Sequence, residues 1–338
     1  MNTRLLILKI LCFTLLISCT EHHKEISGRP NIVLVMADDQ GWGDLSTHKN
    51  PHINTPHIDK FKTEGVSLER FFVAPVCAPT RAGVLSGQWG IRTGAWGVTN
   101  RDEVMRTETV TIAELLRQAG YKTGIFGKWH NGAQYPENPK GQGFDEFLGF
   151  TAGHWNNYFD TTLKNIDDIP VRTEGYITDV FTDAAIAFIK ENKDHPFFCY
   201  IPYNAPHSPF QVPDHYFSAY KAKGINDKDA CIYGMCENID DNFGKLLDML
   251  DKEHLAANTI VIFMSDNGPN GKRYNERMKG IKATNDEGGT RVPFFIRWPG
   301  KIPAGVQRNT IAGHIDILPT LAKLCAIALP EDMALDGM

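Results

Sequence analysis

Two apolar runs without alternation break straight into polar residues. Asn31-Ile32-Val33-Leu34-Val35-Met36-Ala37 is followed by Asp38-Asp39-Gln40-Gly41, and Thr259-Ile260-Val261-Ile262-Phe263-Met264 by Ser265-Asp266-Asn267-Gly268. Runs of that length read as strands buried on both faces, the pattern of parallel sheets. Between and beyond them the period alternates. It predicts helices over 58–64, 112–119 (closed by Gly120), 179–190, 228–250 and 316–325, and strands over 122–126, 197–203 and 294–298. Such alternation predicts an α/β chain whose mostly parallel central sheet carries helices on both faces. Residues 132–173 are the exception, rich in Gly, Asn and Asp, with Trp155, Tyr158 and Phe159. They read as long loops over a sheet rim, either a substrate-facing wall or a solvated stretch with anchoring aromatics.

Composition narrows this modestly. At 338 residues, 42% hydrophobic and 22% charged, the chain suits one large domain or two modest ones. A net charge of -5 without a basic run argues against nucleic acid as a partner. Near the start, Arg4 and Lys9 precede the apolar run Ile10-Leu11-Cys12-Phe13-Thr14-Leu15-Leu16-Ile17, too short to span a bilayer but suited to a secretory signal. Leu16-Ile17-Ser18-Cys19 resembles a bacterial lipoprotein box. That implies a signal over 1–19, a lipid on Cys19 as the sole link to a membrane, a polar tether over 20–28, and export to the periplasm or outer membrane. The later cysteines, Cys77, Cys199, Cys231, Cys236 and Cys325, are odd in number and widely spaced, which argues against a disulfide framework. Cys231 and Cys236 read as packing residues.

Candidate chemistry gathers at the strand ends. Asp38, Asp39, Asp266 and Asn267 offer only oxygen donors, the preference of a hard cation such as calcium or magnesium. Ligands of open α/β sheets bind at the carboxyl ends of strands, so both clusters can share one rim. Cys77, four residues ahead of Arg81 and followed by Ala82-Gly83-Val84-Leu85-Ser86-Gly87, is by itself as consistent with a buried structural thiol as with chemistry. Lys128 and His130 stand two apart after a strand, and extended geometry would point both to one side. His207 alone reads as a loop histidine. Lys279 and Lys282 both precede Glu287-Gly288-Gly289-Thr290-Arg291, where the glycine pair suits close backbone passage and Glu287 with Arg291 suits an ion pair.

Cys-x-Pro-x-Arg followed by Leu-Ser-Gly resembles the signature of the type I sulfatases, formylglycine-dependent members of the alkaline phosphatase superfamily. Gly127-Lys128-Trp129-His130-Asn131-Gly132, Ala205-Pro206-His207, and Lys282 five residues ahead of Glu-Gly-Gly-x-Arg are similar to further blocks of that family, in its order. Asn131 departs from the pattern, standing where an apolar residue is common. The resemblance implies a sulfatase catalytic domain over 29–330, with 331–338 beginning a C-terminal subdomain that is cut short. It implies a sulfuric ester hydrolase acting on sulfated carbohydrate, calcium (ahead of magnesium) held by Asp38, Asp39, Asp266, Asn267 and the modified Cys77, and a partner enzyme that oxidises Cys77 to formylglycine. It also implies roles: Arg81 and Lys128 hold residue 77, His207 and Lys282 assist departure of the alcohol, and His130 removes a proton from residue 77. Two other readings remain open here: a phosphodiester or phosphonate monoester hydrolase of the same superfamily, and a non-catalytic glycan-binding lipoprotein.

Overall fold

The computed structural model describes residues 28–338. The signal, Cys19 and nearly all of the tether lie outside the described residues. Ten strands form one sheet: β1 (Asn31–Ala37), β2 (Val66–Phe72), β3 (Lys122–Lys128), β4 (Glu146–Phe150), β5 (Thr162–Asn165), β6 (Pro170–Arg172), β7 (Phe197–Pro202), β8 (Thr259–Ser265), β9 (Phe294–Arg297) and β10 (Val306–Gly313), in the order β10-β2-β9-β8-β1-β7-β3-β4-β5-β6. The central five, β8-β1-β7-β3-β4, are all parallel. Antiparallel pairings flank them at β8/β9, β9/β2, β4/β5 and β5/β6, and β10 runs parallel to β2 at the far edge.

The helices are α1 (Pro56–Thr63), α2 (Cys77–Ser86), α3 (Gly90–Thr93), α4 (Ile112–Gln118), α5 (Ile177–Glu191), α6 (Asp214–Lys221), α7 (Asp227–Lys252), α8 (Glu287–Thr290) and α9 (Ile317–Leu324). The uninterrupted apolar run of β1 is explained by its two covered faces. Val33, Val35 and Ala37 pack with Phe61 of α1, Phe181 of α5 and Phe243 of α7, while Ile32, Leu34 and Met36 pack with Leu85 of α2, Leu116 of α4 and Leu321 of α9. Each fully buried side chain of this kind contributes roughly 1.5–3 kcal/mol, so both faces matter to stability. No helix of the described residues is long and apolar enough to cross a membrane. All five described cysteines are free and buried, with Cys231 and Cys236 packed on α7.

Most predicted elements appear within a few residues of their expected bounds. Residues 132–173 differ: they carry β4, β5 and β6. These strands are short, and two are antiparallel strands at one end of the sheet, so no long apolar run marks them. The aromatics of this segment turn inward, as the reading of anchoring aromatics has it rather than that of a substrate-facing wall. Tyr158 is buried, Trp155 stacks on Phe150 at 5.1 Å and donates to Thr161 Oγ1 at 2.7 Å, and Phe159 packs on Tyr176.

Two histidines away from the sheet rim are held neutral by burial. His48 stacks on Trp42 at 3.8 Å and donates from Nδ1 to Trp42 O. Burial, helped by the Lys62 charge, pushes it down to about 3, and burial takes His314 to about 4. Both titrate near 6.5 once unfolded, so unfolding takes up protons below that pH. Their contribution is complete above about pH 6.5 and is lost as pH falls toward 4, by up to about 1.4 kcal/mol per pH unit for each. Urea midpoints at pH 7 and pH 5 check this; in His48→Gln the gap between the two should narrow.

Candidate active site

The strands deliver their polar ends to one rim. Asp38 follows β1 and donates its N–H to Ala205 O beyond β7 at 3.0 Å; Asp266 follows β8 and donates to Ala37 O at 3.0 Å. Asp39 N–H in turn donates to Asp266 Oδ1 at 3.1 Å. α2 brings residue 77 over this rim. Its Pro79 sits in the first helical turn, where a missing N–H is tolerated. Cys77 is itself the first helical residue, and the helix closes on Gly87 at φ 67.

The cations interleave with the acids. Arg81, fully buried, donates from Nη2 and Nε to Asp266 Oδ2 at 2.7 and 3.1 Å and from Nη1 to Lys128 O at 2.9 Å. Lys128 Nζ donates to Asp38 Oδ2 at 2.6 Å. Lys282 Nζ donates to Asp39 Oδ1 at 2.5 Å. Lys279 lies outside this cluster, exposed and paired with Asp286 at 3.0 Å. Burial raises Asp38, but Lys128, then His207 and Arg81, bring it below the ordinary carboxylate range. Burial and the Asp38 charge push Asp266 up, against the pull of Arg81.

Residue 77 faces a histidine. The Cys77 thiol donates to His130 Nδ1 at 3.2 Å, while His130 Nε2 donates to Val98 O at 3.1 Å, fixing which nitrogen accepts. Burial raises the thiol; burial with Lys128 and Arg81 lowers His130 to about 2. The ring is therefore neutral, with a free lone pair aimed at residue 77. The expected extended geometry over Lys128 and His130 does not hold. His130 adopts φ 58, which turns it toward α2 while Lys128 points to Asp38. Asp39 at φ 69 and Ala283 at φ 65 share that sparsely populated region.

His207 and Lys282 form the open side. Their side chains are 15% and 17% exposed, whereas those of Arg81 and Lys128 are sealed. His207 Nδ1 donates to Ser208 O at 2.6 Å, leaving Nε2 toward Asp39 Oδ2 at 3.7 Å. The Glu287–Arg291 pair forms at 3.5 Å, and the glycine pair does bring backbone close: a Cβ on Gly268 would lie 2.0 Å from Gly288 O.

Several supporting groups carried no sequence pattern. Tyr158 OH contacts His207 O at 2.8 Å and Asn204 O at 3.1 Å, steadying the His207 turn from the segment expected to face substrate. Asn131 donates to Ala78 O at 3.0 Å and Glu103 O at 3.3 Å, so the departure from the apolar pattern ties the His130 turn to α2. Ala283 N–H donates to Pro75 O at 2.8 Å, linking the Lys282 loop to the approach to Cys77. A Cβ on Gly153 would fall 2.4 Å from His130 Nε2. Gly153→Ala should therefore displace the ring from Val98 O, and at least a tenfold loss of turnover with the thermal midpoint largely kept is the expected reading.

Asp38 Oδ1, Asp39 Oδ2 and Asn267 Oδ1 are buried without a hydrogen-bond partner. An unsatisfied buried polar atom costs about 1–3 kcal/mol, more when charged. Oxygens or sulfur of Asp38, Cys77 and Asp266 lie within 4.8 Å of one another, as do donor atoms of Asp38, Asp39 and His207. Oxygen-rich, acidic and unsatisfied, the cluster fits a hard divalent cation.

Comparison with known proteins agrees with this geometry. The sulfatase family model matches residues 30–327. Human N-acetylgalactosamine-6-sulfatase is 32% identical over 91% of this chain and 64% of its own length, and the arylsulfatase of Hemicentrotus pulcherrimus is 32% identical over 96% and 63%. The chain thus spans somewhat less than two thirds of these curated relatives. Among solved structures, Ps i-CgsB in complex with k-i-k-neocarrahexaose superimposes with a TM-score of 0.85 at 32% identity, covering 92% of this chain and 75% of that one. Strand-end acids, a cationic surround and a family match over nearly the whole described chain lead to one conclusion: the chain belongs to the sulfatase family, within the alkaline phosphatase superfamily.

Proposed function

We propose that this chain hydrolyses sulfate esters of carbohydrates, using Cys77 converted to formylglycine and one calcium ion. The observation that carries the reading is the trio of buried, partnerless oxygens on Asp38, Asp39 and Asn267, set beside three cationic side chains. Asp38, Asp39 and Asp266 already balance Arg81, Lys128 and Lys282 in formal charge. A divalent cation added to a balanced cluster leaves positive charge for a sulfate group. Residue 77, Asp38, Asp39, Asp266 and Asn267 would hold it. When present, the calcium supplies Lewis-acid charge, and the hydrated aldehyde supplies a nucleophilic oxygen that a thiol lacks.

The chain's own residues divide the remaining work. Arg81 and Lys128 hold the sealed floor and fix the carboxylates. His130 Nδ1, aimed at residue 77 at 3.2 Å, accepts a proton there. Lys282 Nζ, and His207 Nε2 when the ring carries its second proton, donate on the open side to the departing alcohol oxygen as charge develops on it. The openness of that side suits a large leaving group such as a sugar. Relatives named for N-acetylgalactosamine-6-sulfate and a structural neighbour bound to a neocarrahexaose support a sulfated glycan as substrate. The same reading assigns the catalytic unit to 29–330, the signal to 1–19 with a lipid on Cys19, and the location to the periplasm or outer membrane.

The test is full-length protein co-expressed with a formylglycine-generating enzyme, assayed on an aryl sulfate, an aryl phosphate diester and monosaccharides sulfated at defined positions. Sulfate release that is lost with a calcium chelator and restored by calcium is the expected result. Preference for the diester would favour the phosphoester reading, and calcium-dependent sugar binding without turnover a glycan-binding role.

A further inference from the structure

We infer that the turn over residues 96–101 forms a subsite for a second, anionic sugar unit of the glycan, with Trp96 as its platform and Arg101 as its anion anchor. This rests on the sulfated-glycan reading above and extends it past the sulfate that is removed.

The turn is attached to the site by short links. His130, in contact with Cys77, donates to Val98 O at 3.1 Å. Asn131 O accepts from Met105 N, and Asn131 Nδ2 donates to Glu103 O, so the far end of the same segment is fixed to the same turn. One imidazole ring therefore separates residue 77 from the backbone that presents Trp96 and Arg101. Gly97 N donates to Asp102 O at 2.9 Å, and Asn100 and Arg101 take φ 62 and 73, an unfavourable conformation for residues with side chains. This closure projects Arg101 outward: its side chain is 80% exposed, held only by Glu137 at 4.0 Å. An exposed pair at that distance stabilises little, so the guanidinium is available to a stronger anion.

Trp96 is 60% exposed, against the tendency of a large aromatic to bury. It lines an open groove of about 520 Å3 together with Ile91, Arg101, Arg106 and Glu137. That lies within the roughly 300–1,000 Å3 typical of ligand clefts. The chemistry is specific. An indole face takes the C–H face of a pyranose, and a guanidinium fork takes the planar or tetrahedral oxygens of a carboxylate or sulfate. The ligand class this proposal takes is a glycan with one sulfate at residue 77 and another anionic group on a further ring.

The experiment uses full-length protein with Cys77 unmodified, which binds without turnover, plus calcium. Calorimetric titration compares carrageenan and chondroitin 6-sulfate tetrasaccharides with the corresponding monosaccharide sulfates, in wild type, Trp96→Ala, Arg101→Ala and Arg101→Lys. The expected result is a tetrasaccharide bound at least tenfold more tightly than its monosaccharide by wild type. Trp96→Ala and Arg101→Ala should weaken the tetrasaccharide about tenfold more than the monosaccharide, and Arg101→Lys less. Equal losses on both probes, or no tetrasaccharide advantage in a wild type that binds the monosaccharide, would overturn the subsite and leave the sulfatase reading standing. A wild type that binds neither class of probe would overturn both together.

Discussion

Cys77→Ala should abolish sulfate ester turnover, by several orders of magnitude, while the folded chain persists. Cys77→Ser, expressed without a maturation enzyme, should do the same. The two halves of this expectation have separate physical grounds. The thiol contributes one hydrogen bond, to His130 Nδ1, whose loss is worth about 1 kcal/mol. α2 is otherwise held by its buried face against α9 and the sheet, so its position survives. On the proposed mechanism, chemistry depends on the aldehyde that residue 77 gains on oxidation, and neither replacement yields it. The measurement is steady-state release of sulfate beside the thermal midpoint. Mass spectrometry of the peptide spanning residue 77 shows whether wild type carries the aldehyde. Turnover by a chain whose Cys77 is wholly unmodified would remove Cys77 from the role of nucleophile.

The second large effect belongs to Arg81. Arg81→Met should cost about 3–5 kcal/mol of stability and also eliminate turnover, because it leaves Asp266 buried without its fork and weakens the surroundings of Asp38. It also strips a donor from Lys128 O, freeing the end of β3 that carries the Lys128–His130 turn. Arg81→Lys keeps the charge but not the three-way geometry, so its loss should fall between wild type and Arg81→Met. Chemical denaturation read with and without calcium separates the charge effect from packing. A cation bound only by the folded chain adds stability of about 2.7 kcal/mol at a hundred times its Kd. Part of the deficit from the uncompensated carboxylate charge should then return, while that from lost packing should not. An Arg81→Met chain as stable as wild type would show that the carboxylates find another counter-charge.

Much of the fold was legible because burial on both faces writes itself as unbroken apolar runs. β1 and β8 stand out on that ground, and their following acids mark the rim. β5 and β6 escaped notice because short antiparallel strands at the end of a sheet need no such run. The choice between a substrate-facing wall and anchoring aromatics over 132–173 stayed open for a related reason: composition shows that a segment holds aromatics, not which way they face. Within the site, residue types and blocks of sequence named Asp38, Asp39, Cys77, Arg81, Lys128, His130, His207, Asp266, Asn267 and Lys282, whereas the bonds among them were not legible.

Cys77 marks the boundary between the two kinds of knowledge. By itself the sequence determined that this chain is α/β, that two acid-tipped parallel strands supply hard oxygen donors, and that its ordered motifs resemble one family. These are consequences of periodicity and residue chemistry, which are local. Only the tertiary structure decided that Cys77 faces the neutral nitrogen of His130, that Lys282 rather than Lys279 reaches Asp39, and that Asn131, Tyr158 and Gly153 hold the histidines in place. Those contacts join residues tens to hundreds of positions apart through left-handed turns and close backbone passages. Such geometry is fixed by packing of the whole sheet rather than by any stretch of sequence.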